Sequence, residues 1–194
     1  MRLPAIIIFA TLILIAGCTG SSTKNADSKK SDAKDSVKND AQTEMTLSST
    51  AFENGKPIPK KYSCDGKNIS PALAWSNIPA QTQCLALVCD VPDEPGGRGV
   101  HWVVFNISSS LKGLPENFPS DQKNKNGVQQ GLNDFKKIGY GGPCPPSGTH
   151  HYSFRLYALD CALNSEKPLK KNELELLMKN RILAMAELTG LYSK

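Results

Sequence analysis

A mostly β domain, strands packed as a sandwich with one helix near the end, is the fold class this sequence predicts, on three observations. Past residue 45 the apolar stretches are short, rich in aromatic and β-branched residues, and separated by Gly, Pro, Asn and Asp. One of them, "CLALVCDV", is apolar at odd and even positions alike, as a strand covered on both faces must be. Helical spacing of apolar residues is confined to a single segment near the end.

In chain order, the strands are expected at "MTLSSTAF", "CLALVCDV", "HWVVFNI" and "YSFRLYALDCAL". From about 108 to 139 the chain is polar and has no sustained period, which reads as a long loop of the kind that usually carries function. The helix is expected over "NELELLMKNRILAMAELTG", where Leu174, Leu177, Met178, Ile182 and Met185 recur at helical spacing. Asn172 with Glu175 resembles a capping box, and Gly190 supplies the stop. Its apolar stripe should cover the sandwich, and a Leu and Met stripe of this kind is packing, with no cofactor role. No internal repeat is evident.

The first 45 residues read differently. Residues 1–17 hold "LPAIIIFATLILIAG", too short and too thinly flanked for a spanning helix, and read as a signal peptide. The following "LIAGC" resembles the bacterial lipobox, which would make Cys18 the lipid-bearing first residue of the mature chain. Thr19 in place of an aspartate leans toward the outer membrane. Residues 18–45 are rich in Ser, Lys, Asp and Asn and carry no aromatic, so they cannot bury enough apolar surface to offset chain entropy and read as a tether to a domain over 46–194. The expected location is the bacterial envelope, lipid-anchored, on the periplasmic side.

The chain carries a net charge of +5. With no basic stripe interleaved with aromatics, that excess gives weak support for anionic partners and no support for nucleic acid. Lipidation of Cys18 would leave five cysteines, an odd number in an oxidising compartment. Cys84 and Cys89 sit five apart in one strand, so they face opposite sides. Cys64 and Cys144 lie in turn-rich segments, "YSCDGKN" and "GGPCPPSG"; if any pair bridges it is this one, and otherwise both remain reduced thiols.

Two histidines stand where a Pro/Gly-rich turn enters a strand. In "HHYSFRLYAL", alternation groups His150 with Tyr152, Phe154, Leu156 and Ala158 on the interior face, and His151 with Ser153, Arg155 and Tyr157. Pro145, Pro146 and Gly148 make a stiff entry that sets where His150 begins. His101 follows "DVPDEPGGRGV", and alternation places it with Val103 and Phe105, opposite Trp102 and Val104. Asp90 and Asp93 are near in sequence. Imidazoles beside carboxylates suit an anion or head-group pocket, a metal site or acid–base catalysis. No H-E-x-x-H or C-x-x-C spacing supports a metal, and no cofactor is expected. Ser147 lacks a G-x-S-x-G elbow and reads as a turn serine, so no enzyme is expected.

At these residues the chain resembles the phosphatidylethanolamine-binding protein family, in its bacterial YbhB/YbcL, Raf kinase inhibitor-like branch. The resemblance runs from about Thr46 to Lys194 through "YSCDGKNISPALAW", the P-D-x-P turn at 92–95, "HWVVFNI", "GLNDFKKIGYGGPCPPSGTHHYSFRLYALD" and "ELTGLYSK". It implies a Greek-key β-sandwich of two antiparallel sheets with a C-terminal helix, and a small pocket at one end for phosphate-like anions and phospholipid head groups. Carried over residue by residue, the pocket histidines are His101 and His150, the pocket tyrosine is Tyr152, Pro145 and Pro146 form its wall, and Asp93 is the second of two aspartates. The first aspartate position holds Val91, and Asp90 can replace it only if the backbone bulges there. Gly99 stands where an aromatic is usual, and His151 where arginine is usual. The expected function is a membrane-tethered protein that binds small anions or head groups without catalysis. The alternative is an inhibitor that uses the 108–139 loop or pocket rim against a peptidase or kinase-like partner. The resemblance also implies that a homodimer is among the expected partners.

Overall fold

The structure, a computed structural model, describes residues 44–92 and 99–194. Among these residues nine strands and one α-helix follow in order: β1 (Thr46–Ser49), β2 (Lys56–Pro57), β3 (Leu73–Ser76), β4 (Cys84–Asp90), β5 (Val100–Ser108), β6 (Gly113–Leu114), β7 (Gln129–Gln130), β8 (Thr149–Leu159), α1 (Lys171–Met178) and β9 (Ile182–Ser193), with a 3-10 turn at Lys60–Tyr62 between β2 and β3. They form a three-stranded sheet, β1-β3-β6, and a six-stranded sheet, β2-β9-β8-β4-β5-β7. All pairings are antiparallel except the short β2–β9 contact.

β4 shows why "CLALVCDV" is apolar throughout. Leu85, Leu87, Cys89 and Val91 face the core between the sheets, with Trp102, Val104, Phe154 and Leu156. Cys84, Ala86 and Val88 face a second core on the outer side, which α1 and its approach close with Leu163, Leu169, Leu174 and Met178. Every residue of β4 is therefore buried.

The helix is shorter than its sequence suggests. It ends at Met178, is capped by Glu173 accepting the Lys170 N–H (2.8 Å) rather than by an Asn172–Glu175 box, and seats only Leu174 and Met178 fully. Asn180, at φ 61°, turns the chain, and residues expected to continue the helix become β9, which pairs with β8 along its whole length. Ala186, Leu188 and Tyr192 are buried at every second residue, a period of two that the helical stripe masked. Ile182 and Met185 are about half exposed and do not cover the sandwich.

The 108–139 stretch is also more structured than its polarity suggests, because buried amides organise it. Trp102 Nε1–H donates to Gln130 Oε1 (2.8 Å), and Gln130 Nε2 donates to the Pro119 (2.6 Å) and Asp121 (2.9 Å) carbonyls. The Asn106 amide, at a β5 bulge with φ 54°, likewise ties β5 to Leu163 and Gln129.

Cys64 and Cys144 form a disulfide with Cα atoms 5.4 Å apart, joining segments 80 residues apart in sequence. Cys84 and Cys89 are buried free thiols on opposite faces of β4, and Cys161 is a half-buried one. Burial pushes the Cys84 thiol up to about 11 and Cys89 well above the ordinary range. Thiolates are the reactive form. A thiol reagent at about pH 8 is therefore expected to label one site in native protein over residues 44–194, Cys161. Unfolding without reductant should expose three, and unfolding with reductant five, since two of the cysteines are bridged. Mass spectrometry of the labelled protein checks this; native labelling at Cys89 would contradict the packing of β4.

Candidate functional site

At one end of the six-stranded sheet, His101, Asp134, Phe135, Pro145, His150 and Tyr152 converge on a cleft of about 430 Å³. Its position follows from how two strands begin. The β4–β5 ladder pairs Cys89 with Trp102 but Asp90 with Val100, so His101 is the extra residue of a bulge. The bulge breaks the alternation that would have placed His101 with Val103 and Phe105. Its ring instead packs edge-on against Tyr152, at 5.0 Å between centroids, on the face those residues do not share.

His101 is held tightly. It is 5 % exposed, with Phe135 edge-on at 5.1 Å, and its Nδ1 lies 2.7 Å from the Gly141 carbonyl oxygen. A carbonyl only accepts, so Nδ1 carries a proton, and any second proton goes to Nε2. Gly141 N–H in turn donates to the His101 carbonyl (2.8 Å), locking the Gly-rich segment to the bulge.

That segment needs its glycines. A Cβ at Gly142 would stand 2.2 Å from the Tyr62 carbonyl oxygen, and Gly142 N–H donates to Asn68 Oδ1 (2.6 Å). Gly148, at φ +74°, makes the turn into β8. Between them the disulfide pins Cys144, which lines the cleft beside buried Pro145. His150 then enters β8 half-buried, its Nε2 donating to the Ser147 carbonyl (3.2 Å), while His151 is exposed. Tyr152, 2 % exposed, forms the floor.

Asp134 and Phe135 are cleft residues not singled out in the sequence, as is Val100. Asp134 Oδ2 accepts the N–H groups of Gly99 (2.8 Å) and Val100 (2.9 Å) and so supports the bulge that aims His101. Phe135, 46 % exposed, forms the rim. Their sequence signal is the Asn-Asp-Phe run, which opens the longest motif of the family resemblance but lies in a stretch that reads as loop.

Other candidates lie elsewhere. Asp90 does not line the cleft: it is on the outer face with Val88, where both its oxygens accept from Arg155 and Oδ2 also accepts from Lys171. The bulge that could have turned it inward falls on β5, so it reverses His101 and leaves Asp90 in register with Ser153. Val91 faces the core between the sheets, Pro146 is exposed and outside the lining, and Asp93 lies outside the described residues. Gly99 lines the cleft, leaving open the space an aromatic would fill.

Chemically, the arrangement offers two imidazoles and a phenol as hydrogen-bond donors, between a proline wall and an aromatic rim, with one carboxylate at the edge. Comparison with known proteins shows the family and the fold. The profile of the phosphatidylethanolamine-binding protein family matches residues 48–193. A UPF0098 protein of Methanothermobacter thermautotrophicus is 46 % identical over 150 residues, covering 77 % of this chain and 99 % of that one. Another from Aquifex aeolicus is 43 % identical over 153 residues, covering 77 % and 89 %. Among solved structures, a phosphatidylethanolamine-binding protein homologue from Chlamydia trachomatis superposes with a TM-score of 0.71 at 42 % identity, covering 78 % of this chain and 98 % of that one. YbcL of E. coli, described as a member of the mammalian PEBP family, gives 0.70 at 30 % identity, covering 78 % and 99 %. The chain belongs to the phosphatidylethanolamine-binding protein family.

Proposed function

We propose that the cleft holds a small phosphate-like anion or a phospholipid head group, and that the protein acts by binding rather than by catalysis. The observation that carries this reading is the convergence of His101, His150 and Tyr152 on one cleft with Pro145 as its wall. Protonated imidazoles and a phenol are donors of the kind phosphate oxygens accept, and such charge-assisted hydrogen bonds are the strong ones. Family membership supports anionic ligands in general.

Calorimetric titration of residues 44–194 with phosphate and with phosphoethanolamine tests it. That stretch corresponds to the whole of relatives such as the Methanothermobacter protein, so it is a complete folding unit there. The His101→Ala, His150→Ala double variant removes two donors worth about 1.5–3 kcal/mol each when charged, and should bind at least about a hundredfold more weakly. A parent that binds neither compound, or a folded double variant that binds as well as the parent, overturns the reading.

We also read the protein as anchored in the bacterial envelope through lipid on Cys18, supported by the apolar leader and "LIAGC". Cys18→Ser should move the protein from the membrane fraction to the soluble fraction; unchanged fractionation refutes the anchor.

A further inference from the structure

Five cysteines remain in the chain if Cys18 carries lipid, and the Cys64–Cys144 bridge takes two of them. The other three are not equivalent. Cys89 is 1 % exposed in the core between the sheets, on the face of β4 that neither of the others shares. Cys84 opens β4 in the outer core, and Cys161 packs against that same core from just past the end of β8. These two are neighbours, for the Cys84 Sγ–H donates to the Cys161 carbonyl (2.9 Å).

The ladder explains their nearness. Cys84 pairs with Leu159, the last residue of β8, so Cys161 follows two residues later and returns to the same face. A regular diagonal pair of this kind stands about 7–8 Å apart at Cα, just beyond the roughly 4.4–6.8 Å that a disulfide spans. A small backbone shift closes that gap. Cys161 can make it, because the ladder ends before it: Gln83 N–H donates to the Leu159 carbonyl (2.8 Å), whereas Asp160 N–H turns away from β4 to the Arg181 carbonyl (3.0 Å).

We propose that Cys84 and Cys161 are a dithiol that a disulfide oxidant converts to a second bridge, fastening the start of β4 to the segment that leads from β8 into α1. Cys161, half-buried, is the sulfur that an oxidant reaches first. Cys84 is 4 % exposed, and burial, with the neighbouring Cys161, pushes its thiol up to about 11, so it reacts with its neighbour and not with reagents in solution. The Cys161 thiolate attacks one sulfur of the oxidant, breaking its S–S bond, forming a mixed disulfide and releasing one thiolate. Cys84 then gives its proton to water, and its sulfur attacks Cys161 Sγ and expels the second thiolate. Two cysteine thiols lose two electrons and two protons, and one oxidant disulfide becomes two thiols. The segment anchored in this way carries Leu163, held by the Asn106 amide (2.7 and 2.8 Å), and Leu169, whose carbonyl accepts from Leu132 N–H (2.9 Å). Neither cysteine lines the cleft, so this bridge is independent of the ligand held there. With both bridges closed, the odd cysteine of the sequence is the core thiol Cys89.

Residues 44–194, with Cys64–Cys144 intact and the other three thiols free, are incubated with excess oxidised glutathione at about pH 8, then unfolded and alkylated. One free thiol in place of three is expected, with a peptide pair joining Cys84 to Cys161 in the mass spectrum. The bridged form should melt at least about 5 °C above the thiol form. In Cys161→Ser the same treatment should leave both remaining thiols free and the melting temperature unchanged, and in Cys84→Ser the glutathione should stay on Cys161. Three free thiols after oxidation overturn the proposal. So does a glutathione that persists on Cys161 while Cys84 is present, a bridge that includes Cys89, or a bridged form that melts no higher than the thiol form.

Discussion

Reducing the Cys64–Cys144 disulfide, or replacing both cysteines by serine, is expected to cost the fold about 3–4 kcal/mol. The bridge closes a loop of 80 residues, for which chain-entropy arguments give about 4.5 kcal/mol of lost freedom in the unfolded chain. The native side loses less, because local ties persist. Cys64 N–H donates to the Pro143 carbonyl (3.0 Å), Gly142 N–H to Asn68, and the Tyr140 hydroxyl to the Tyr62 carbonyl (3.0 Å). Stability should therefore fall far more than affinity: the melting temperature drops by about 10 °C, at about 2–4 °C per kcal/mol for a chain this size. Phosphate affinity measured well below the melting point should change less than fivefold or so. A shift below about 3 °C on reduction would show that the bridge constrains little. A fully abolished ligand response in still-folded protein would show that it shapes the cleft directly.

Asp90→Ala should destabilise the fold by about 3 kcal/mol, the second large effect. Asp90 is 3 % exposed and lies between the cations of Arg155 and Lys171 on the outer face of β4. Removing it leaves two like charges beside each other with no counter-ion. Burial opposes the charged guanidinium, and the Asp90 charge offsets this and raises the Arg155 pKa. The Arg155 and Lys171 side chains are 24 % and 27 % exposed, so solvent recovers part of the loss and the cost falls at the low end of the 3–5 kcal/mol seen for broken buried pairs. Replacing all three residues by leucine should return much of the stability. Urea unfolding of the single and triple variants reads both numbers, and an Asp90→Ala loss under about 1 kcal/mol would mean the cluster is effectively solvated.

Lys171 opens α1, so this cluster also fastens the helix to the sheet. Asp90 is expected at the ligand from its nearness in sequence to the histidines and to the Val91 position. A carboxylate near a histidine in sequence can face either side of a strand, and which side is decided by where the ladder carries its extra residue.

The same distinction runs through the molecule. Local chemistry was sufficient for the strands at "CLALVCDV", "HWVVFNI" and "YSFRLYAL", since aromatic and β-branched runs between turn residues have few other ways to bury themselves. It was sufficient as well for the start of α1, for a stiff Pro/Gly entry to His150, and for marking His101 and His150 as candidate pocket residues, whereas Tyr152 followed from the family resemblance. It failed where two periods competed. "ILAMAELTGLYS" can be read at 3.6 or at 2, and β9 forms because β8 offers a full-length partner, which no local count reveals. It failed again along 108–139, where buried amides of Gln130 and Asn106 replace the apolar residues that mark structured segments. Sequence by itself determined that β1, β4, β5 and β8 are strands and which side chains are chemically suited to an anion. Tertiary structure alone decided which of them meet, because a one-residue bulge in β5 reverses a face, and facing is a property of the paired ladder rather than of either strand.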